Sequence, residues 1–350
     1  MNLRPIYGHD ALLHRLGGAL ASSRFPQAAM LVGPAGVGKQ RVALWVAQGL
    51  LCEGGPGEPC GECPACLKVV GLGHPDLHWF IPVPRPKSGD SEKQIEQVRE
   101  MLAEIWTERR NGPLYDAPDR MASHSLASVR LLQRSVALTP FQGSRKVVII
   151  GDAERLIVQE ASQEAANALL KVLEEPPADT VVLLTVADPQ ALLPTIRSRL
   201  VPIRVGRVGD EHVQAFLENE LTESPDAAEV KRRVVSADGC IGRALRAEGE
   251  NEEAERAGLL LRAIAKGPTK WAEAALAQAS WGARGDFSGT LDVMAVRLRD
   301  ELVDPTTSPE RMEACLRALK RVQETRMEAQ GNANPQLALA VLASDLGSLL

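Results

Sequence analysis

Aromatic residues are scarce: Phe, Trp and Tyr together make up 3% of the 350 residues. The cores must therefore be built from Leu, Val, Ile and Ala. A surplus of positive charge is also missing. With 40 Lys and Arg against 45 Asp and Glu, the net charge is −5. That argues against a chain coated for nucleic acid and leaves such contact to a local patch. No apolar run is long enough to span a bilayer, and Met1 to Ala21 has neither the basic nor the apolar region of a secretory leader. The expectation is a cytoplasmic protein with no membrane partner. In that compartment the six cysteines read as thiols or metal ligands, not disulfides. The rest of the composition, 45% hydrophobic and 24% charged, is that of an ordinary soluble protein. The length suggests two or three domains, each with its own core.

The chain is organised around Gly33-Pro34-Ala35-Gly36-Val37-Gly38-Lys39-Gln40. An apolar run, Ala28 to Val32, precedes it, and Arg41 to Leu51 follows with Val42, Val46 and Leu50 at helical spacing. Strand, glycine-rich loop and helix form the context of a P-loop, in which backbone N–H groups and a helix N-terminus surround a phosphate. Lys39 would reach the outer phosphates. The hydroxyl that helps to hold Mg²⁺ is absent, because Gln40 stands where Ser or Thr belongs. The bland alternative is a glycine-rich turn with no ligand. A second absence agrees with the first. After the apolar strand Lys146 to Ile150 come Gly151 and Asp152, not the Asp-Glu pair that binds the metal and prepares the attacking water. With the register shifted by one, Asp152 could serve the metal, but Ala153 would then stand in the place of the Glu.

Cys52, Cys60, Cys63 and Cys66 follow the P-loop helix. Thiolates separated by two-residue gaps can converge on one ion, and Cys52 at the helix end completes a tetrahedral set. The reading is a structural Zn²⁺, with an iron–sulfur cluster or free thiols as alternatives. Cys240 and Cys315 read as small buried hydrophobes.

Leu12, Leu16 and Leu20 predict an early helix. Residues 81 to 125 read as a surface insertion: a Pro-rich loop, a polar helix over Ser91 to Arg110, and a second loop at Gly112 to Asp119. Arg109 and Arg110 read as solvated charges. Helices are expected at Leu126 to Leu138, Glu160 to Glu175 and Pro189 to Arg197, with a buried strand at Val181 to Thr185. From Val201 onward the pattern reads as helical, with Glu248 to Glu255 as an acidic linker. Breaks are expected at Gly267-Pro268, Gly282 to Gly285 and Pro305 to Pro309.

Three stretches, Lys146 to Asp152, Ala166-Asn167-Ala168-Leu169-Leu170-Lys171-Val172-Leu173-Glu174-Glu175-Pro176-Pro177 and Leu193-Pro194-Thr195-Ile196-Arg197-Ser198-Arg199, together with the cysteine set, closely resemble the bacterial clamp-loader subunits of the AAA+ superfamily. The resemblance covers about residues 1 to 245; beyond that it rests on helical character and position. It implies an α/β AAA+ P-loop domain over 1–203 with the zinc module at 52–66, a helical lid over 204–250, and an all-helical collar over 251–350. Within the family, motor (gamma/tau) subunits keep an intact P-loop and an Asp-Glu pair. The delta-prime branch has degenerate versions of both and keeps the Ser-Arg pair, and this sequence is similar to that branch. The resemblance implies that Arg199, beside Ser198, is an arginine finger acting in trans. It places Arg243 at the family's second sensor, and leaves ATP or ADP in the chain's own site in doubt. Implied partners are the motor and delta subunits, the sliding clamp and, through the complex, primed DNA without sequence preference. The chain would hydrolyse no ATP itself but belong to a DNA polymerase III holoenzyme. Arg130 and Arg134, on one helix face, are candidates for DNA contact. The competing expectations are an active gamma/tau-like ATPase and a zinc-containing DNA-binding module.

Overall fold

A computed structural model of the chain describes residues 5–111, 122–156, 163–221, 226–245, 250–277, 284–303, 307–330 and 334–349. The chain divides into two compact units, Met1–Leu245 and Arg246–Leu350.

The first unit is built on a parallel five-stranded sheet. Its elements are α1 (Asp10–Ala21), β1 (Ala28–Val32), α2 (Lys39–Leu51), α3 (Pro64–Val70), β2 (Leu77–Phe80), α4 (Ser91–Asn111), α5 (Leu126–Ala137), β3 (Lys146–Ile150), α6 (Gln163–Glu174), β4 (Thr180–Val186), α7 (Pro194–Arg197) and β5 (Val201–Arg204). The strand order is β2-β3-β4-β1-β5. Ala29 pairs with both Leu183 and Val201, and Val148 with both His78 and Val182. Every residue of β3 and β4 is buried, as expected of parallel strands covered on both faces. This order places β1 between β4 and β5, so the loops leaving β1, β3 and β4 open at one edge, where α/β sheets bind ligands.

Two strands run against the sequence reading. β2 was not expected. The helical pattern from Val201 is corrected: Val201–Arg204 is an edge strand paired with β1. It is mostly exposed and contains Pro202, which edge strands tolerate because one side of the backbone needs no ladder bond. The single helix expected over Pro189 to Arg197 is a short 3-10 turn, Pro189–Ala191, followed by α7. Pro194 opens α7, since it cannot continue a helix from behind but suits a first turn.

The expected insertion between residues 81 and 125 is less peripheral than its polarity suggests. Ile95, Val98 and Leu102 of α4 are buried in the main core. The Gly112 to Asp119 loop lies outside the described residues. On the opposite edge of the sheet, buried Asp76 accepts N–H bonds from Phe141, Gln142 and Gly143 at 2.5, 2.8 and 2.9 Å. Burial opposes its ionisation, but these three donors prevail and its pKa ends below the usual carboxylate value. The carboxylate thus fixes the turn into β3.

Past β5, α8 (Asp210–Glu220), α9 (Ala227–Ala237) and α10 (Ile241–Ala244) enclose a small core of Val208, Val213, Leu217, Val230, Val234, Ala237 and Ala244. Asp226 caps α9 by accepting from the Glu229 N–H at 2.7 Å.

The second unit consists of α11 (Glu250–Ala265), α12 (Pro268–Ala277), α13 (Arg284–Val303), α14 (Pro309–Gln330) and α15 (Pro335–Leu349). Leu260, Phe287, Leu291, Met294, Leu298, Val322, Leu339 and Leu342 form its core. The acidic linker is corrected from Glu250 onward, where the acids form the first turns of α11; negative charge is favoured at a helix N-terminus. Gly285 lies within α13, not in a break.

Candidate functional site

The Gly33–Gln40 loop joins β1 to α2. Gly36 (φ +83°) and Gly38 (φ +98°) adopt left-handed backbone that side chains disfavour. Lys39 folds back onto its own loop, its Nζ donating to the Gly33 and Pro34 carbonyls at 2.8 and 2.9 Å. It is buried, which lowers its pKa; the nearby carboxylates of Glu154 and Asp152 oppose that shift. His9 Nε2 lies 2.9 Å from the Val37 carbonyl. Gly242, at the start of α10, donates its N–H to the Gly36 carbonyl at 2.8 Å. A Cβ on Gly36 would lie 3.0 Å from the Arg243 nitrogen. The backbone at Gly242-Arg243 therefore rests directly on the glycine loop, while the Arg243 guanidinium pairs with Asp238 at 3.5 Å.

Gln40, the residue out of place in the motif, has a definite role. Its Nε2 donates to Asp152 Oδ2 at 3.2 Å, and its Oε1 accepts from Arg109 Nη1 at 3.3 Å. The Arg109 guanidinium sits 4.6 Å from the Trp79 ring centroid, a cation–π contact. Arg109 is 8% exposed, so its reading as a solvated charge is corrected. The signal was in the spacing: Ile95, Val98, Leu102 and Arg109 fall on one face of α4. Arg110, by contrast with a free surface charge, donates to the Leu72 carbonyl at 2.8 Å.

Asp152, just beyond β3, has φ +48° and donates its N–H to Thr185 Oγ1 at 3.0 Å. Glu154 went unnoticed in the sequence. Its Oε1 accepts from the Ala187 N–H at 3.1 Å, and its Oε2 has no hydrogen-bond partner among the described residues. Burial, then the Asp152 charge, pushes its pKa up. This part of the site thus offers the Gln40 amide, the Arg109 guanidinium and the carboxylates of Asp152 and Glu154. The set lacks the hydroxyl that magnesium-dependent phosphoryl transfer uses after the lysine, since Gln40 stands there and is already bonded to Asp152 and Arg109.

The four cysteines converge. Their sulfurs all lie within 4.8 Å of one another. Individual separations are 3.6 Å for Cys52–Cys60, 4.0 Å for Cys52–Cys63 and 3.9 Å for Cys60–Cys66. Sulfurs bound tetrahedrally at zinc–thiolate lengths stand about 3.8 Å apart, so the set fits such an ion. Cys63 caps α3 through its sulfur, which accepts the Cys66 N–H, and the Cys63 N–H points at Cys60 Sγ, each at 3.4 Å. The Glu62 N–H, then the Cys63 N–H, bring the Cys60 pKa down to about 6, while burial pushes that of Cys66 up. The module packs on α2: a Cβ at Gly49 would meet the Gly57 carbonyl oxygen at 2.3 Å. It also meets α1, where His14 Nδ1 lies 3.2 Å from Glu58 Oε1.

Ser198 and Arg199 follow α7 and are not drawn into the P-loop. Ser198 Oγ donates to the Thr195 carbonyl at 3.1 Å. Arg199 donates to that same carbonyl at 2.7 Å and to Glu174 Oε1 at 2.6 Å. Arg130 donates to Ser91 Oγ, and Arg134 pairs with Glu92 at 2.5 Å; both tie α5 to the start of α4.

Comparison with known proteins adds relatives to this geometry. Residues 8–208 match the family described as DNA polymerase III, delta subunit. The DNA polymerase III subunit delta' of Pseudomonas aeruginosa is 36% identical over 194 residues, 55% of this chain and 46% of that protein. The subunit delta' of Bacillus subtilis is 27% identical over 227 residues, 61% and 56% of the two chains. The subunit tau of Salmonella typhimurium is 29% identical over 246 residues, 69% of this chain and 31% of that protein. The chain thus spans about half the length of the curated delta' relatives it matches, and less of tau. Among solved structures, a gamma subunit-related protein from Thermotoga maritima aligns with 97% of this chain and 98% of its own, at 16% identity and a TM-score of 0.40.

Proposed function

This chain belongs to the DNA polymerase III delta subunit family, on the delta-prime side of the clamp loader, and from that premise we propose that it is a non-motor subunit that lends an arginine to a neighbour. The observation that carries the proposal is the Gln40–Asp152–Arg109 network in the chain's own phosphate site, set beside an arginine that points elsewhere. The AAA+ frame is kept, with 1–203 as its α/β domain and 204–250 as a lid. The place of the metal is taken by side chains that satisfy one another. Arg199 would reach the ATP held by an adjacent motor subunit, with Ser198 fixing the turn that presents it. A guanidinium supplied in trans stabilises charge on the transferring phosphoryl group and is worth about 10³ to 10⁵ in rate.

Cys52, Cys60, Cys63 and Cys66 hold Zn²⁺ in this reading. A closed set of four thiolates supplies fold, not reactivity. The helical unit after residue 250 joins the collar of a hetero-oligomer with the motor and delta subunits. That assembly opens the sliding clamp and sets it on primed DNA, which this chain meets without sequence preference.

The test is a mixture of this chain with motor subunits, assayed for ATP hydrolysis beside the chain alone. The expected result is no turnover by the chain alone and a complex whose turnover falls with Arg199→Ala while assembly persists. Hydrolysis by the isolated chain, lost on Lys39→Ala, would favour the motor reading instead.

A further inference from the structure

We infer that Glu174 is a positioning residue for Arg199, holding its guanidinium in the presented geometry before a nucleotide is met. The inference rests on the arginine-finger reading above and names the residue that readies the finger. The guanidinium has two anchors on two elements. Nη1 donates to the Thr195 carbonyl at 2.7 Å, within α7, and Nη2 to Glu174 Oε1 at 2.6 Å, at the last residue of α6. Both elements are fixed in the core, α6 through Ala166, Leu169 and Leu173 and α7 through Ile196. The anchors therefore hold their spacing while a long, flexible side chain bridges them.

Three features point to presentation rather than stability. First, a carboxylate at a helix C-terminus faces the negative end of the helix dipole. Glu174 occupies that unfavourable place, just before Glu175-Pro176-Pro177, and it bonds a guanidinium from outside the helix. Second, the Arg199 side chain is 34% exposed and that of Glu174 46% exposed, so the pair adds little to folding stability and stays within reach of another subunit. Third, a guanidinium carries five N–H donors. These two bonds use one on each Nη, leaving the Nε–H and the second hydrogen of each Nη for phosphate oxygens. Nothing has to be released when the finger engages, and its torsions are already chosen, which is where orientation contributes to rate.

The experiment uses the full chain assembled with motor subunits, with steady-state ATP hydrolysis measured for Glu174→Ala, Glu174→Gln, Arg199→Ala and the Glu174→Ala/Arg199→Ala pair. Glu174→Ala is expected to lower kcat about tenfold with KM for ATP unchanged, as for an interaction made in the transition state. Glu174→Gln keeps an oxygen acceptor for Nη2 and should recover most of that loss. Glu174→Ala should cost nothing further once Arg199 is gone. Assembly, followed by gel filtration, should be unaltered. A wild-type kcat for Glu174→Ala, or an equal loss with and without Arg199, overturns the inference while leaving the finger reading in place. Unchanged turnover for Arg199→Ala overturns both.

Discussion

Replacing Arg109 by Met removes the charge but keeps an apolar stem of similar length, which isolates what the guanidinium does. At 4.6 Å from the Trp79 ring and 8% exposed, the cation–π contact is desolvated and worth about 2 kcal/mol. The bond to Gln40, at 3.3 Å, is long and adds about 1 kcal/mol at the lower end for a charged donor. Against these, the variant no longer buries a charge, which returns part of the desolvation cost. The net expectation is a loss of about 2 kcal/mol from the first unit. The chain has two units, so a global melting curve would mix their transitions. Hydrogen exchange at the slowest β3 amides reports the first unit alone, and the loss should quicken it about 30-fold. A Gln40→Ala background should shrink the effect, because the two residues share a bond. Exchange within twofold of the parent protein, or full additivity with Gln40→Ala, would refute the network as a source of stability.

Elemental analysis should find about one zinc per chain, since four thiolates close one tetrahedral site; Cys63→Ser should lose the metal and loosen exchange at the start of α3, and full zinc retention by that variant would count against the site. Acid should weaken the first unit through two desolvated histidines. Burial lowers His124 to about 4, where its Nε2–H donates to the Gly151 carbonyl at 2.7 Å; His78, half-buried near Lys146, is also lowered to about 4, by desolvation first. Unfolded histidines titrate near 6.5, so between about pH 6.5 and 4 the unfolded state binds more protons and stability falls as pH falls. The slope is about 1.4 kcal/mol per pH unit per histidine, and it vanishes above pH 7. Urea midpoints measured from pH 7.5 to 4.5 check this: His124→Gln should flatten the profile, and an unchanged slope would remove His124 as its source.

Some of the molecule could be read residue by residue. The run Ala28–Val32, the glycines that follow it and the spacing of α2 specify strand, loop and helix through contacts a few residues apart, and the structure has all three. The four cysteines lie within fifteen positions of each other, Cys52 to Cys66, and their gaps alone require a bent loop that gathers them. β3 and β4 were legible because a strand buried on both faces is apolar throughout.

Other features have no local signature. β5 is short, exposed and carries Pro202, so only its pairing with β1 makes it a strand. Arg109 is a charge among charges until Trp79 is set beneath it and Gln40, 69 positions away, accepts its hydrogen bond. The bond from Arg199 to Glu174 spans 25 positions and exists only because α6 and α7 pack beside each other. Period and spacing thus determined the P-loop unit, the buried strands β3 and β4, and the two motifs. The tertiary structure decided which charges are buried and which side chains meet, because those depend on distances between elements that no window of sequence contains.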